Sequence, residues 1–369
     1  MVETNTILCG DALAVLKTLP DGCVNMAVTS PPYYGLRDYG VDGQIGLEHN
    51  PTEYVSRLVA VFREVRRILT KDGVLFLNIA DSYASSSQAA YRSLPRQNAN
   101  AHSLRCSSSP QRICDSSGVP DGKGASADTK RKSKQPYLYT PSDPAANIPA
   151  AWEGIKPKDL IGIPWALAFA LRADGWYLRS DIIWQKVNAL PHSVKDRPVS
   201  SYEHIFLLAK SKTYYFDYTA LEEPMTESSK QRYKRAFGSV KYMDGVPGQA
   251  PQTINKPKGK DFTISEMRRG RDIWSFPTSH YRGAHFAAYP IELARRCILA
   301  GCPEGGVVLD PFFGSGTTGA AALMLGRRYI GIELNPVYIP LAEERLKQYE
   351  PADTPRDTDD DSVRGAVSV

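Results

Sequence analysis

The sequence contains few of the patterns that build zinc sites, disulfide frameworks or membrane spans. Its 369 residues include six cysteines and six histidines, and no two cysteines form a Cys-x-x-Cys pair. The usual zinc-binding spacings are therefore excluded. No apolar run approaches the roughly 20 residues of a membrane helix, and the first residues lack the apolar core of a signal peptide. We therefore expect a cytoplasmic protein with reduced thiols and no membrane partner.

Neither sign of charge dominates the composition. The chain carries 45 Lys and Arg residues against 40 Asp and Glu residues, a formal net charge of +5, and 42% of its residues are hydrophobic. This mild basicity permits a polyanionic partner but does not require one. The length and the apolar content are enough for one large α/β domain with insertions, or for two domains.

The first candidate site is the turn that follows a short apolar run at residues 24–28. This run is typical of a buried parallel strand. Pro31 and Pro32 end the strand because neither can donate a ladder hydrogen bond. The stiff turn presents the hydroxyl of Ser30, the carbonyl of Pro31 and the aromatic face of Tyr33. Two acceptors beside an aromatic ring suit a planar base with an exocyclic amino group, although a strand-ending turn with a surface tyrosine is the structural alternative.

The second candidate site is a glycine-rich turn at 311–319, near the carboxyl end of the chain. A buried strand is predicted before it at 306–310, a helix after it at 320–325, and a further strand at 328–333. A strand, a glycine-rich turn, a helix and a strand that ends in an acid form a nucleoside-binding unit.

Individual residues of this unit have predicted roles. Gly314 and Gly316 let the backbone approach a ligand, while Thr317 and Thr318 supply hydroxyls at the start of the helix. Glu333 ends the last strand, where its carboxylate can accept hydrogen bonds from both hydroxyls of a ribose.

Two classes of cofactor can be considered for this unit. Three glycines of the turn match the G-x-G-x-x-G pattern of nicotinamide-dependent dehydrogenases, which is weak evidence alone. Asp310 and Phe312 stand where a pyrophosphate would lie, and a carboxylate there suits an amino-bearing ligand better than a dianion. We therefore favour an amino-acid nucleoside with a sulfonium centre, with its ammonium near Asp310 and its ribose on Glu333.

Three stretches lack the apolar pattern of these two units. Residues 83–150 are rich in Ser, Ala, Asn and Pro, which predicts a disordered insertion. Residues 211–283 interleave Lys and Arg with Tyr and Phe, a composition typical of surfaces that neutralise phosphates and contact bases. For this segment we favour contact with nucleic acid over a solvated loop. The acidic tail at 351–369 is also predicted to be disordered.

The two turns together resemble motifs of the exocyclic-amino DNA methyltransferases. The residues that carry this resemblance are Thr29-Ser30-Pro31-Pro32-Tyr33 and Asp310-Pro311-Phe312-Phe313-Gly314-Ser315-Gly316-Thr317-Thr318. Their order, with the catalytic turn first, resembles the circularly permuted β group of that family. Shorter segments resemble the adenine-side acid at Gly10-Asp11, the lining of the methionine end around Phe286, and the ribose site at Ile332-Glu333-Leu334-Asn335.

The resemblance implies a Rossmann-like methyltransferase fold of the α/β class. Its mixed, mostly parallel sheet would have helices on both faces, in circularly permuted order and with an inserted recognition region. The catalytic half would comprise residues 1–82 and 151–210, the recognition region 211–283, and the half that binds S-adenosyl-L-methionine 284–350. The implied catalytic residues are Ser30, Pro31, Pro32 and Tyr33. The implied cofactor contacts are Asp11, Phe286, Asp310, Phe312, Gly314, Gly316, Thr317, Thr318, Glu333 and Asn335.

The implied reaction is site-specific methylation of an exocyclic amino nitrogen in double-stranded DNA, with the target base flipped out. Ser30 in place of an aspartate resembles the N4-cytosine members, so we favour N4 of cytosine, with N6 of adenine as the alternative. A homodimer and a cognate restriction endonuclease are further partners that the resemblance allows. The more distant alternatives are a nicotinamide-dependent oxidoreductase, a non-catalytic DNA-binding protein and an RNA methyltransferase.

Overall fold

The structure is a computed structural model that describes residues 2–84, 155–191, 193–238, 266–278 and 289–349. Nearly all of the predicted insertion at 83–150 and the whole predicted tail at 351–369 lie outside these ranges. Phe286 and a large part of the basic segment at 211–283 also lie outside them.

Eight strands form the main sheet, and their order in space differs from their order in the chain. These strands are β1 (Thr6–Cys9), β2 (Val24–Thr29), β3 (Leu69–Ile79), β4 (Tyr177–Lys186), β5 (Tyr202–Ala209), β8 (Ile273–Phe276), β9 (Val307–Asp310) and β10 (Arg328–Glu333). Their order across the sheet is β1-β10-β9-β2-β3-β5-β4-β8. Two short strands, β6 (Glu223–Pro224) and β7 (Met267–Arg268), pair with each other separately.

The part of the sheet that carries both candidate turns is parallel. The strands β1, β10, β9, β2 and β3 run in one direction, whereas β5 is antiparallel to β3 and β4. Ala27 of β2 pairs with Leu309 of β9. Because the carboxyl ends of parallel strands share one edge of a sheet, Ser30 and Pro311 leave their strands side by side. The prediction of a mixed, mostly parallel sheet is confirmed.

Helices cover both faces of the sheet. The helices of the described residues are α1 (Ala12–Leu16), α2 (Pro51–Ile68), α3 (Ile163–Ala173), α4 (Glu227–Gly238), α5 (Ile291–Gly301), α6 (Thr317–Met324) and α7 (Tyr338–Lys347). The first three pack over one buried cluster, and α5, α6 and α7 pack over another. Successive side chains of β3 point to opposite faces of the sheet. Leu75 and Leu77 lie in the first cluster, and Val74 and Phe76 lie in the second.

Helix α2 supports the first candidate turn from one face of the sheet. It begins at Pro51 because the side chain of Asn50 accepts a hydrogen bond from the backbone N–H of Glu53, at 2.8 Å. One turn into the helix, the fully buried Tyr54 donates its hydroxyl to the carbonyl of Pro32, at 2.8 Å. The turn is therefore anchored to the core as well as stiffened by its prolines.

One strand lies within the segment predicted to recognise the target. Strand β8 falls inside residues 211–283, yet it pairs in parallel with β4 at the edge of the main sheet. Its residues Trp274 and Phe276 are buried against the core. This part of the basic segment is therefore continuous with the main fold. None of the helices in the described ranges is both long enough and apolar enough to cross a bilayer.

The contact between Gly331 and Phe313 gives a test of this packing. A methyl group added at Gly331 of β10 would lie 2.4 Å from Cγ of Phe313, whose ring is buried and stacked on Tyr329. We expect Gly331→Ala to lower the free energy of unfolding by about 1–3 kcal/mol, because the core has no room for the extra carbon. Urea denaturation measures this change. Phe313→Leu should restore part of the lost stability in the double variant, and additive losses would contradict the packing described here.

Candidate active site

A buried carboxylate joins the two candidate turns. Asp310, at the end of β9, is 1% exposed and accepts a hydrogen bond from the hydroxyl of Thr29 at the end of β2, at 2.6 Å. The backbone N–H of Phe312 donates to the same carboxylate oxygen, at 3.1 Å. The hydroxyls of Tyr289, at 3.2 Å, and Thr318 donate to the other oxygen. Thr29 and Asp310 are 281 residues apart in sequence, so this network fixes the two turns next to each other.

Asp310 lies beside the cavity and does not line it. Asp310, Gly316 and Thr318 were predicted cofactor contacts, but none of the three lines the cavity between the turns. Burial raises the pKa of Asp310, and the hydrogen bonds from its protein donors act in the opposite direction. Protein donors reach both oxygens of Asp310, and through them the carboxylate joins the ends of β2 and β9, while its contact with the cofactor stays a prediction.

Between the two turns lies one cavity of about 380 Å³, which is large enough for a small-molecule ligand. All four predicted catalytic residues and most of the predicted cofactor contacts line it. The lining residues from these predictions are Ser30, Pro31, Pro32, Tyr33, Asp11, Phe312, Gly314, Thr317, Glu333 and Asn335. The structure therefore brings together residues from both ends of the chain around one space.

Glu333 lies at the end of this cavity that the glycine-rich turn forms. Its carboxylate accepts hydrogen bonds from the backbone N–H groups of Gly314, at 2.7 Å, and Asn335, at 2.8 Å, one on each oxygen. Gly314 adopts a φ of +52°, which favours glycine and leaves its N–H aimed at this carboxylate. Burial raises the pKa of Glu333, and these backbone donors oppose the shift. Each oxygen keeps the capacity to accept a further hydrogen bond, as two ribose hydroxyls require.

The other predicted contacts at this end have structural partners as well. Asp11 caps α1 by accepting the backbone N–H of Ala14, at 2.9 Å. The hydroxyl of Thr317, at the start of α6, accepts a hydrogen bond from Arg345, at 2.9 Å. The ring of Phe312 packs edge-on against Phe62 of α2, with ring centroids 6.5 Å apart. A carboxylate, an aromatic ring and an open glycine backbone together fit an adenosyl group attached to an amino acid.

The turn at Ser30 contacts a polar cluster that we did not predict from the sequence. Tyr33 donates its hydroxyl to Glu203 of β5, at 2.6 Å. Lys186 of β4 forms an ion pair with the same carboxylate, at 2.6 Å, and the amide of Asn78 on β3 donates to it at 2.9 Å. These three newly found residues line the cavity. The sequence signal that could have predicted this cluster is Glu203, a charged residue near the start of a mostly apolar strand.

The described residues contain no group of three or more His, Cys, Asp or Glu side chains that could hold a metal ion.

Comparisons with known proteins identify the family of this chain. A family profile described as DNA methylase matches residues 24–344. The type II methyltransferase M.Cfr9I of Citrobacter freundii is 43% identical over 342 residues, which cover 93% of this chain and 87% of the relative. The type II methyltransferase M.SmaI of Serratia marcescens is 40% identical, over 92% and 90% of the two chains.

Solved structures show the same fold at lower identity. The cytosine-N4-specific PvuII DNA methyltransferase is 14% identical with a TM-score of 0.53, over 95% of this chain and 92% of the other. TTHA0409 of Thermus thermophilus, assigned as a DNA modification methylase and solved with S-adenosyl-L-methionine, is 21% identical with a TM-score of 0.50, over 94% and 95%. At these identities the two structures support the fold alone.

The family match removes the nicotinamide-dependent oxidoreductase and the non-catalytic DNA-binding protein as alternatives. The predictions of the enzyme class and of S-adenosyl-L-methionine as its methyl donor are confirmed with it. The chain belongs to the N6/N4 DNA methylase family, the exocyclic-amino DNA methyltransferases.

Proposed function

We propose that this protein methylates N4 of cytosine at a specific site in double-stranded DNA, with N6 of adenine as the alternative target. The observation that carries the proposal is the hydrogen bond between Thr29 and Asp310, because it holds the turn at Ser30 and the turn at Gly314 on one cavity. A methyl donor and a base bound at the two turns would then lie within one enclosed space.

The donor would occupy the end of the cavity near Glu333. Glu333 would accept hydrogen bonds from the ribose, Phe312 and Asp11 would flank the adenine, and Gly314 would allow close approach of the backbone. The resemblance places Phe286 at the methionine end. When bound, S-adenosyl-L-methionine supplies a methyl group attached to a sulfonium, which leaves as a neutral thioether.

The base would occupy the end near the catalytic turn. An exocyclic amino nitrogen is a weak nucleophile because its lone pair is delocalised into the ring. Acceptors at Ser30 and at the carbonyl of Pro31 would hold its two N–H groups and make the lone pair available. Tyr33 would stack on the ring and offset part of the few kcal/mol that base flipping costs. Fixing the reactants in line can lower the barrier by roughly 7–11 kcal/mol.

The prediction that the target base is cytosine depends on the serine at position 30. The cytosine-N4-specific neighbour is only 14% identical, so its specificity adds nothing to that choice. Digestion of methylated DNA to nucleosides, followed by mass spectrometry, distinguishes the two products. We expect N4-methylcytosine. N6-methyladenine alone would reverse the target base while leaving the enzyme class unchanged, and an absence of methylated base would contradict the proposed function.

Contact with the DNA backbone is proposed for residues 211–283. Within the described part of this segment, several cations already pair with acids. Lys230 pairs with Glu227 and Glu266, and Arg268 and Arg271 pair with Glu223. Each pair except Arg268–Glu223 has at least one well-exposed member, and pairs open to solvent are weak, so phosphates can compete for these cations.

Further partners follow from the relatives. M.Cfr9I and M.SmaI are type II methyltransferases, which supports a cognate restriction endonuclease for this protein too. We keep a homodimer, a cytoplasmic location on the nucleoid and the boundaries 1–82, 151–210, 211–283 and 284–350 as proposals. The insertion at 83–150 has no assigned role.

Replacing the serine of the catalytic turn tests the acceptor role. Ser30→Ala removes the hydroxyl oxygen, and we expect the single-turnover rate of methyl transfer to fall about a hundredfold, as for other single positioned hydrogen bonds in active sites. Affinity for S-adenosyl-L-methionine should not change. Ser56→Ala, at an exposed position on α2, is the matched control. A variant at position 30 that transfers methyl at the normal rate would contradict the role of Ser30.

Replacing the carboxylate at the ribose end tests the donor site. Glu333→Gln leaves one acceptor oxygen where two are used, so we expect S-adenosyl-L-methionine to bind about ten- to a hundredfold more weakly by calorimetry. Because burial raises the pKa of Glu333, protonation begins at a higher pH than for an exposed glutamate. Affinity of the unaltered protein should therefore fall early as the pH is lowered, and the variant should lack this fall. The exposed Glu343→Gln is the control, and equal affinities in both variants would refute the assignment.

A further inference from the structure

A chain of hydrogen bonds runs from the catalytic serine to a carboxylate on a distant strand. The hydroxyl of Ser30 lies 3.2 Å from the hydroxyl of Tyr33, which lies 2.6 Å from Oε2 of Glu203. Ser30 follows β2, whereas Glu203 is the second residue of β5, and β3 separates the two strands in the sheet. The methyl-transfer mechanism described above uses Ser30 and Tyr33 but gives Glu203 no part.

The carboxylate end of this chain can only accept hydrogen bonds. Glu203 is 8% exposed, and both of its oxygens are occupied by donors. Lys186 donates to Oε1 at 2.6 Å, and the side-chain amide of Asn78 donates to Oε2 at 2.9 Å. Donors from Lys186 and Asn78 already point at this carboxylate, so it acts as the acceptor of the Tyr33 hydroxyl.

The carboxylate of Glu203 fixes which group donates in each of these hydrogen bonds. Desolvation, together with the neighbouring Glu203 carboxylate, raises the pKa of Tyr33 well above its usual range, so the phenol keeps its proton. That proton must point to Glu203, because the carboxylate has none to give. The phenol oxygen can then only accept from Ser30, whose single hydrogen points to Tyr33. The Ser30 hydroxyl then has only its two lone pairs left, so it can accept hydrogen bonds from a ligand but cannot donate one.

We propose that Glu203 is a positioning residue that makes Ser30 an obligate hydrogen-bond acceptor and so selects a base with an amino group over one with an oxo group. The proposal rests on the proposed function, in which Ser30 holds an N–H of the target amine. A carbonyl at the same place would bring its lone pairs against those of Ser30. A buried ion pair is weak evidence for stability, so a role in orienting the turn accounts better for Glu203 and Lys186 at this place.

Neighbouring groups support this arrangement. Asn78 pairs with Ile205 across β3 and β5, so its side chain lies close to Glu203 and also donates to the backbone carbonyl of His204, at 3.2 Å. Its own carbonyl oxygen is buried and has no hydrogen-bond partner among the residues that the structure describes.

The test compares binding of two DNA duplexes that differ only at the mapped target base. One carries the amino base and the other its oxo counterpart, uracil for cytosine or hypoxanthine for adenine. Fluorescence anisotropy with S-adenosylhomocysteine present gives both affinities without turnover. We expect the unaltered protein to prefer the amino duplex, and Glu203→Gln and Tyr33→Phe to reduce that preference about tenfold, since a wrongly oriented buried hydrogen bond costs this much.

Matched variants separate orientation from simple damage. Glutamine at position 203 carries both a donor and an acceptor, so it no longer fixes the chain, and phenylalanine at position 33 removes the middle hydroxyl. Glu344→Gln breaks an exposed pair with Lys347 outside the cavity and should keep the normal preference. Comparing each variant with the unaltered protein cancels the easier extrusion of a mismatched base. If Glu203→Gln does not fold, Tyr33→Phe alone decides.

Two results would overturn the proposal. One is a ratio of the two affinities that Glu203→Gln leaves unchanged, and the other is a ratio that Tyr33→Phe leaves unchanged. Either result, combined with loss of methyl transfer in Ser30→Ala, rejects the role of Glu203 and leaves the proposed function standing. Normal methyl transfer in Ser30→Ala would instead show that the proposed function of this turn is wrong.

Discussion

The structure depends on the carboxylate of Asp310 being shared between two strand ends. Alone, a buried carboxylate is costly, because desolvation disfavours its charge. Here Thr29, Thr318, Tyr289 and the backbone of Phe312 supply donors to both oxygens, so the group is tolerated only when these elements are assembled around it. The network therefore couples correct folding to correct placement of the two turns.

Three carboxylates, two that line the cavity and one beside it, differ in the donors that their oxygens already receive. Asp310 lies beside the cavity and is surrounded by protein donors, through which it joins the two strand ends. Glu203 lines the cavity but is occupied by Lys186, Asn78 and Tyr33, so it can orient its neighbours. Glu333 lines the cavity and is held by backbone N–H groups with acceptor capacity left for a ligand. Residue type alone would not distinguish them.

The sequence predicted the parts of the fold that depend on local pattern. The apolar runs of β2, β9 and β10 and the turns after β2 and β9 were identified correctly, because prolines and glycines mark strand ends directly. The partners of Asp310 could not be predicted, since the tie to Thr29 joins positions 281 residues apart. The part that Glu203 plays could not be predicted either, because only the order of the sheet, with β3 alone between β2 and β5, brings it near the turn at Ser30. Strand β8 was missed because its four residues lie inside a basic, proline-containing segment.

The most direct test of the central claim, that both turns serve one cavity, is a crystal structure of the protein with S-adenosyl-L-methionine bound. The account predicts that the ribose hydroxyls bond to Glu333 and that the methyl group points along the cavity towards Ser30. A ligand bound away from Glu333, or a methyl group directed away from the catalytic turn, would contradict it.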